Sequence, residues 1–248
     1  VNVLLTNDDG IYSPGLAALR TAFEGRHDVW TLAPDGERSG TSNMITMSEP
    51  IRCTRVKERE YATSGSPADC VILATLGALP IKPDVVVSGI NLGANLGSDI
   101  IYSGTAAAAR QAAYKHIPGI AVSIDSFREP FFFEPVADFV ASNLDELIAL
   151  WNEDHFININ APNRPDLVEA CITSPSVRRY DDTLLPFVPP RGGTYYFVDG
   201  KPVHAVPDEG TDWAAINRGM ISVSPIMLNP VNHAVEAVYR NATFVSRQ

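Results

Sequence analysis

Through the first 162 residues, short β-branched runs alternate with longer stretches of helical periodicity, and this rhythm constrains the fold more than any other feature. Val3-Leu4-Leu5-Thr6 is apolar at successive positions, as a parallel strand buried on both faces must be. Pro14 to Glu24 then carries Leu16, Leu19 and Phe23 on one helical face, behind a Ser13-Pro14 start signal. Asp28 to Ala33 is a second strand, stopped at Pro34, so a βαβ unit opens the chain. Further strands are expected over 60–63, 84–88, 120–123 and 156–160, with helices over 66–79, 104–114 and 133–151. Such alternation predicts an α/β fold: a three-layer, doubly wound, mostly parallel Rossmann-like sheet with helices on both faces.

After about Pro162 the rhythm changes. Pro186, Pro189, Pro190, Gly192 and Gly193 mark a loop. Thr194 to Val198 and Lys201 to Val206, around Asp199-Gly200, read as a β-hairpin. A short helix is expected over Trp213 to Arg218 and a last strand over Ile221 to Pro225, while the tail from Met227 has no clear period. Two regions are expected: a Rossmann-like core over 1–162 that carries the chemistry, and an extension over 163–248 with the hairpin and a tail.

Charge narrows the function. The chain has 29 acidic and 19 basic residues, a net charge of −10, which repels phosphate backbones and argues against a nucleic-acid duplex as partner. An anionic small substrate would then need local positive charge, and a bound metal ion supplies it most simply. Cys53, Cys70 and Cys171 are odd in number and far apart, with no C-x-x-C pair. They argue against a disulfide framework or zinc cluster and read as free thiols in a reducing compartment. No stretch approaches the ~20 apolar residues of a membrane span, and no leader pattern opens the sequence, so no membrane partner and a cytoplasmic location are expected.

Ligands of open parallel sheets bind beyond the carboxyl ends of the strands, near a switch in strand order. The segments that would emerge there are Asn7-Asp8-Asp9-Gly10, the run from Asp35 to Asn43, and Gly89 to Gly97 leading to Ser103-Gly104-Thr105. They offer carboxylates, hydroxyls and amides, a donor set that suits Mg²⁺, Mn²⁺ or Ca²⁺. Asp8 and Asp9 side by side repel each other without a cation; equally, they form a solvated Asx turn. Ser103-Gly104-Thr105 opens a helix and either caps it or holds a phosphate on its exposed N–H groups. Asn91 is a metal ligand or a turn residue, and Arg38 meets phosphate, Glu37 or solvent. No Walker loop, dinucleotide fingerprint or serine nucleophile elbow is present.

These segments, in order, resemble the SurE family of survival proteins. The matching strings are Thr6-Asn7-Asp8-Asp9-Gly10, Ala33-Pro34-Asp35 through Arg38-Ser39-Gly40, Gly65-Ser66-Pro67-Ala68-Asp69-Cys70, Val87-Ser88-Gly89-Ile90-Asn91, Tyr102-Ser103-Gly104-Thr105 and Gly210-Thr211-Asp212. The resemblance implies a metal-dependent 5′/3′-nucleotidase, in some members also an exopolyphosphatase. It implies one divalent ion held by Asp8, Asp9, Ser39 and Asn91, and a phosphate pocket of Asn43, Asn95, Ser103, Gly104 and Thr105. Asp8, Asp9 and His233 are then the catalytic candidates. It also implies a homodimer or homotetramer with exchanged C-terminal segments. Ser66, Ala94, Arg110 and Met220 depart from the residues usual in the family. The expected activity is hydrolysis of nucleoside monophosphates. The alternatives are a non-catalytic nucleotide-binding module and a nucleotide-sugar transferase, the latter lacking a diphosphate-sugar motif.

Overall fold

Val3 and Leu5 point to one face of the first strand, β1 (Asn2–Thr6), and Leu4 to the other; all three are fully buried. That strand can therefore only be central, with helices above and below. In the computed structural model, which describes residues 1–166, 169–203, 207–230 and 233–243, it is so. From the amino end follow α1 (Pro14–Phe23), β2 (Asp28–Pro34), β3 (Cys53–Lys57), β4 (Glu60–Thr63), α2 (Pro67–Thr75) and β5 (Val85–Leu92). A 3₁₀ turn over Gly97–Ile101 leads into α3 (Gly104–Ala113), β6 (Gly119–Asp125), α4 (Glu134–Ser142), α5 (Leu144–Leu150) and β7 (His155–Pro162). Then come β8 (Ala170–Ile172), β9 (Tyr180–Phe187), β10 (Tyr195–Pro202), α6 (Asp212–Asn217), β11 (Ile221–Met227) and α7 (His233–Arg240).

Nine strands form one sheet in the order β3-β4-β2-β1-β5-β6-β7-β11-β8. Pairing is parallel from β4 through β7, and antiparallel where β3 meets β4 and β11 meets β7. The chain builds outward from β1 through β2 and β4, then crosses back to lay β5 on the other side of β1. The switch point lies between β1 and β5, at the strand ends carrying Asp8-Asp9 and Asn91. Leu16, Leu19 and Phe23 of α1 pack with Val136, Val140 and Leu147 of α4 and α5 against one face. Cys70, Val71 and Ala74 of α2 pack with Ala108 and Ala112 of α3 on the other. The alanines let α3 approach closely: a Cβ on Gly119 of β6 would stand 2.0 Å from the Ala109 carbonyl oxygen.

Three local expectations are corrected. The helix expected over 133–151 breaks at Asn143, whose side-chain amide donates to the Phe139 carbonyl at 2.7 Å and whose backbone leaves helical geometry. The hairpin is β9 with β10, paired Phe187 to Tyr195 at its closed end, so the proline- and glycine-rich segment is its turn. Asp199-Gly200 is mid-strand, opposite Thr183 and Asp182. An Asp-Gly pair reverses a chain only where no outside strand claims its hydrogen bonds, and 180–187 claims them here. The tail from Met227 contains α7; the side chain of His233 lies outside the described residues. The extension returns β11 and β8 to the edge of the main sheet. The cysteines are unpaired, Cys70 buried in the core. Among the described residues no helix is long and apolar enough to cross a membrane.

Candidate functional site

Asn7 builds the turn that presents the acidic pair. Its side-chain amide donates to the Gly10 carbonyl at 3.0 Å and to Ser13 Oγ at 2.7 Å, and its carbonyl accepts from Gly10 N–H at 3.2 Å. Gly10 has φ +100° and lies against Gly36, where a Cβ would stand 3.2 Å from backbone. The Asp8 carbonyl accepts from Arg38 N–H at 2.7 Å, which ties this turn to the loop after β2.

Asp8 is buried, and Thr105 grips it: the Thr105 hydroxyl donates to Oδ1 and its N–H donates to Oδ2 at 3.2 Å. The carboxylate thus sits on the first turn of α3, where the helix presents unpaired N–H groups. Gly104 is required there, because a Cβ would stand 2.9 Å from Asp8 Cβ and 3.0 Å from Oδ2. Burial pushes the Asp8 carboxyl up, opposed by the Thr105 hydrogen bonds. Asp9 is pushed up to about 7, first by burial and then by the charge of Asp8, although its carboxylate accepts from Leu92 N–H. The carboxylate of Glu37 adds repulsion to both.

Asp8, Ser39, Asn91, Asn95 and Ser103 line one open cleft of about 470 Å³ at the carboxyl edge of the sheet. Ser39 donates its hydroxyl proton to Glu37 at 2.7 Å, which leaves its oxygen lone pairs for a cation. Asn91 donates its amide to the Gly93 carbonyl at 2.8 Å, which turns its own carbonyl oxygen away from that bond. Ser103 caps α3 by accepting from Ala106 N–H at 3.0 Å, so its hydroxyl proton remains to be donated. Thr105 and Gly104 reach the site through Asp8. Asn43 is exposed on the loop after β2, and its carbonyl accepts from Arg110 at 2.7 Å. Arg110, in the last turn of α3, also stacks on Phe156 at 4.9 Å, so it docks the Asn43 loop onto the helix. The His233 side chain is outside the described residues. No trio of His, Cys, Asp or Glu converges as a metal cage among the described residues. The oxygens gathered at the cleft are instead the Ser39 hydroxyl and the Asn91 amide beside the Asp8 carboxylate; Asp9, next to it in the turn, does not line the cleft.

Three supporting groups escaped the sequence reading. Asp69 completes a capping box with Ser66 and accepts from Thr46 N–H at 3.0 Å and Thr46 Oγ at 2.7 Å, while Ser66 donates to the Met44 carbonyl at 2.6 Å. The Gly65–Asp69 string therefore anchors the loop that carries Ser39 and Asn43. Asn158 and Asn160 of β7 both donate to the Asn95 carbonyl, Asn160 accepts from Asn95 N–H at 2.8 Å, and Ser123 accepts from the Asn95 amide at 2.9 Å. Asp212 accepts from Gly97, Ser176 and Trp213 N–H at 2.7, 2.9 and 2.7 Å. Two asparagines inside an otherwise apolar strand were the available signal for the first clamp, and Asp212 in Gly210-Thr211-Asp212 for the second.

The family model for survival protein SurE matches residues 3–182. A protein named 5′-nucleotidase SurE from Geotalea uraniireducens is 40% identical over 237 residues, covering 94% of this chain and 95% of that one. One of the same name from Petrotoga mobilis is 41% identical over 235 residues, covering 91% and 92%. The chain belongs to the SurE family. Its fold is likewise that of the SurE protein from Aquifex aeolicus, whose crystal structure superposes with a TM-score of 0.84 at 35% identity, covering 97% of this chain and 98% of that one. The acidic turn, the Ser39 loop and the α3 start of this SurE-family chain all fall inside the matched region.

Proposed function

We propose that the chain hydrolyses nucleoside 5′-monophosphates to nucleoside and phosphate, with one hard divalent cation held by Asp8, Asp9, Ser39 and Asn91. The observation that carries this reading is the convergence of Asp8, Ser39, Asn91, Asn95 and Ser103 on one cleft at the start of α3. The names of the similar proteins support it. The donor chemistry fits Mg²⁺, Mn²⁺ or Ca²⁺: the carboxylates are crowded and desolvated, and the Asn91 and Ser39 oxygens are oriented without consuming their lone pairs. When bound, such an ion supplies Lewis acidity toward a phosphate oxygen and toward water.

The chain's own groups do the rest. The Ser103 hydroxyl and the Gly104 N–H hold phosphate oxygens at the helix start, where accumulating negative charge is stabilised most. Asn95, clamped by β6 and β7, and Asn43, docked by Arg110, offer amide donors. The acidic pair orients the attacking water and takes its proton as the new P–O bond forms and the bond to the ribose oxygen breaks. His233 is proposed, on the family resemblance alone, to return a proton to the leaving oxygen. The extension over 163–248 is proposed to serve assembly into a dimer or tetramer.

The test is phosphate release from AMP, GMP, CMP, UMP, a 3′-monophosphate and polyphosphate, each with Mg²⁺, Mn²⁺, Ca²⁺ or EDTA. Release from 5′-monophosphates with at least one cation, and none with EDTA, is expected. Full-rate AMP hydrolysis in EDTA would sink the metal assignment. Tight AMP binding with no phosphate released would sink the enzyme.

A further inference from the structure

The cleft contains more than oxygen donors. Phe127 lines it and is 80% exposed, and Tyr102 lines it at 67% exposed. An aromatic ring carries about 150–250 Å² of surface that normally drives it into a core. The neighbouring Phe133 obeys that rule and is buried, with Phe131 packed against it. Phe127, from the same segment, is held out at the cleft instead.

Its placement is specific. Phe127 follows β6, the strand beside β5, so it emerges at the same edge as Asn91 and Asn95. Its ring lies across Gly93, where a Cβ would stand 2.1 and 2.3 Å from ring carbons. Gly93 has φ +97°, a backbone that also disfavours a side chain. The glycine therefore lets the ring rest on the backbone of the loop between two polar donors. Tyr102 immediately precedes Ser103, so its ring flanks the start of α3.

We infer that Phe127 is the stacking platform for the nucleobase, with Tyr102 as its flanking wall, in the cleft whose Ser103 end takes the phosphate. This rests on the nucleotide reading above and adds which part of the nucleoside is recognised. The base is neutral, so its π-face is the part of a nucleotide that an aromatic wall attracts without any positive charge. That matters in a cleft whose lining also includes Asp8, Asp99 and Asp182. Every base has a π-face, so the wall accepts all four and favours the larger purines.

The experiment compares AMP with ribose 5-phosphate, which keeps the sugar and the phosphate ester and lacks the base. Wild type, Phe127→Ala and Phe127→Trp are assayed for kcat/KM on both, and both ligands are titrated by calorimetry. In Phe127→Ala the AMP to ribose 5-phosphate ratio of kcat/KM should fall by about 5- to 150-fold, the range that losing one base-stacking aromatic produces. The loss should sit in KM, and Phe127→Trp should restore the ratio. Equal loss on both ligands, or no loss on AMP, overturns the platform. A change in oligomer mass with both ligands affected alike would make Phe127 an assembly contact and overturn it too. Should wild type hydrolyse neither compound, the hydrolytic reading fails, and the binding ratio still decides: selective weakening of AMP upholds the platform, parallel weakening or none refutes it.

Discussion

Thr105 donates to both oxygens of Asp8, and this pins the carboxylate to the start of α3, beside the Ser103 hydroxyl and the Gly104 N–H proposed to hold the phosphate. The arrangement opposes stability and activity. Burial disfavours the Asp8 charge, so Asp8→Asn removes a desolvated anion without changing the shape. Activity on AMP should fall by about 10²- to 10³-fold in kcat/KM, while the melting temperature of the metal-free protein stays level or rises. A marked loss of stability would show that Asp8 is a structural cap instead. Asp9 makes a second prediction, on pH. Its carboxyl is pushed up to about 7, from the ordinary carboxyl value of 3.8, by burial and by Asp8. The folded protein then binds more protons than the unfolded chain between those values, so stability falls as pH rises through that window. Relative to wild type, Asp9→Asn should gain stability from about pH 4 up to about pH 7 and hold a constant advantage above. Thermal melts of metal-free protein at pH 4.5, 6 and 8 read it; a difference that does not change with pH would show that Asp9 is not perturbed by burial. Added divalent cation should shrink the advantage at pH 8.

The cleft loop between β5 and α3 is held by groups from other elements, and this separates what the sequence displayed from what it hid. Asp212 at the start of α6 takes the N–H groups of Gly97 and Ser176, and Asn160 takes the N–H of Asn95 from β7. Replacing Asp212 by Ala strands two buried N–H donors, those of Gly97 and Ser176, and the partly buried N–H of Trp213. Destabilisation of about 3–5 kcal/mol in denaturant titration is expected, with activity on AMP impaired even where the protein remains folded. Asp212→Asn, which keeps one acceptor, should fall between. A destabilisation below about 1 kcal/mol would show that water replaces the clamp. Local patterns carried the architecture: apolar runs such as Val3–Thr6 and 84–88, and caps such as Ser13 and Ser103, are read within a few residues. Those local patterns alone place the polar loops at one sheet edge. The clamps were illegible because Asp212 and Gly97 are 115 residues apart and Asn160 and Asn95 are 65 apart. Pairing decides such positions, not propensity, and the same reason misplaced the hairpin turn at Asp199-Gly200.

At the scale of the whole molecule, the β9–β10 ribbon is the feature that a single chain leaves unfinished. On one face Leu185 pairs with Phe197 and Phe187 with Tyr195, and the rings of Phe187 and Phe197 stack at 5.7 Å. On the other Leu184 pairs with Val198 and Pro186 with Tyr196. Leu184, Leu185, Phe187, Tyr195, Tyr196, Phe197 and Val198 are all exposed. A two-stranded ribbon is marginal in water by itself, and apolar surface on both faces adds a penalty that only cover removes. We propose a second copy of the chain as that cover, and the ribbon's root is well placed to make assembly matter to the site. Arg178 pairs with Asp99 at 2.8 Å, and Tyr180 donates to the same carboxylate at 2.7 Å, so the ribbon is tied to the 3₁₀ turn beside the cleft. Wild type should therefore sediment as a dimer or tetramer at micromolar concentration. Introducing Leu184→Asp and Phe197→Asp together, which charges both faces without touching Asp99, should shift the mass to the monomer. Monomeric wild type would refute assembly through this ribbon, as would an unaltered mass in the double variant. The dissociated variant should also lose more activity on AMP than its stability change accounts for, because the ribbon that lines the cleft through Tyr180 and Asp182 would no longer be braced.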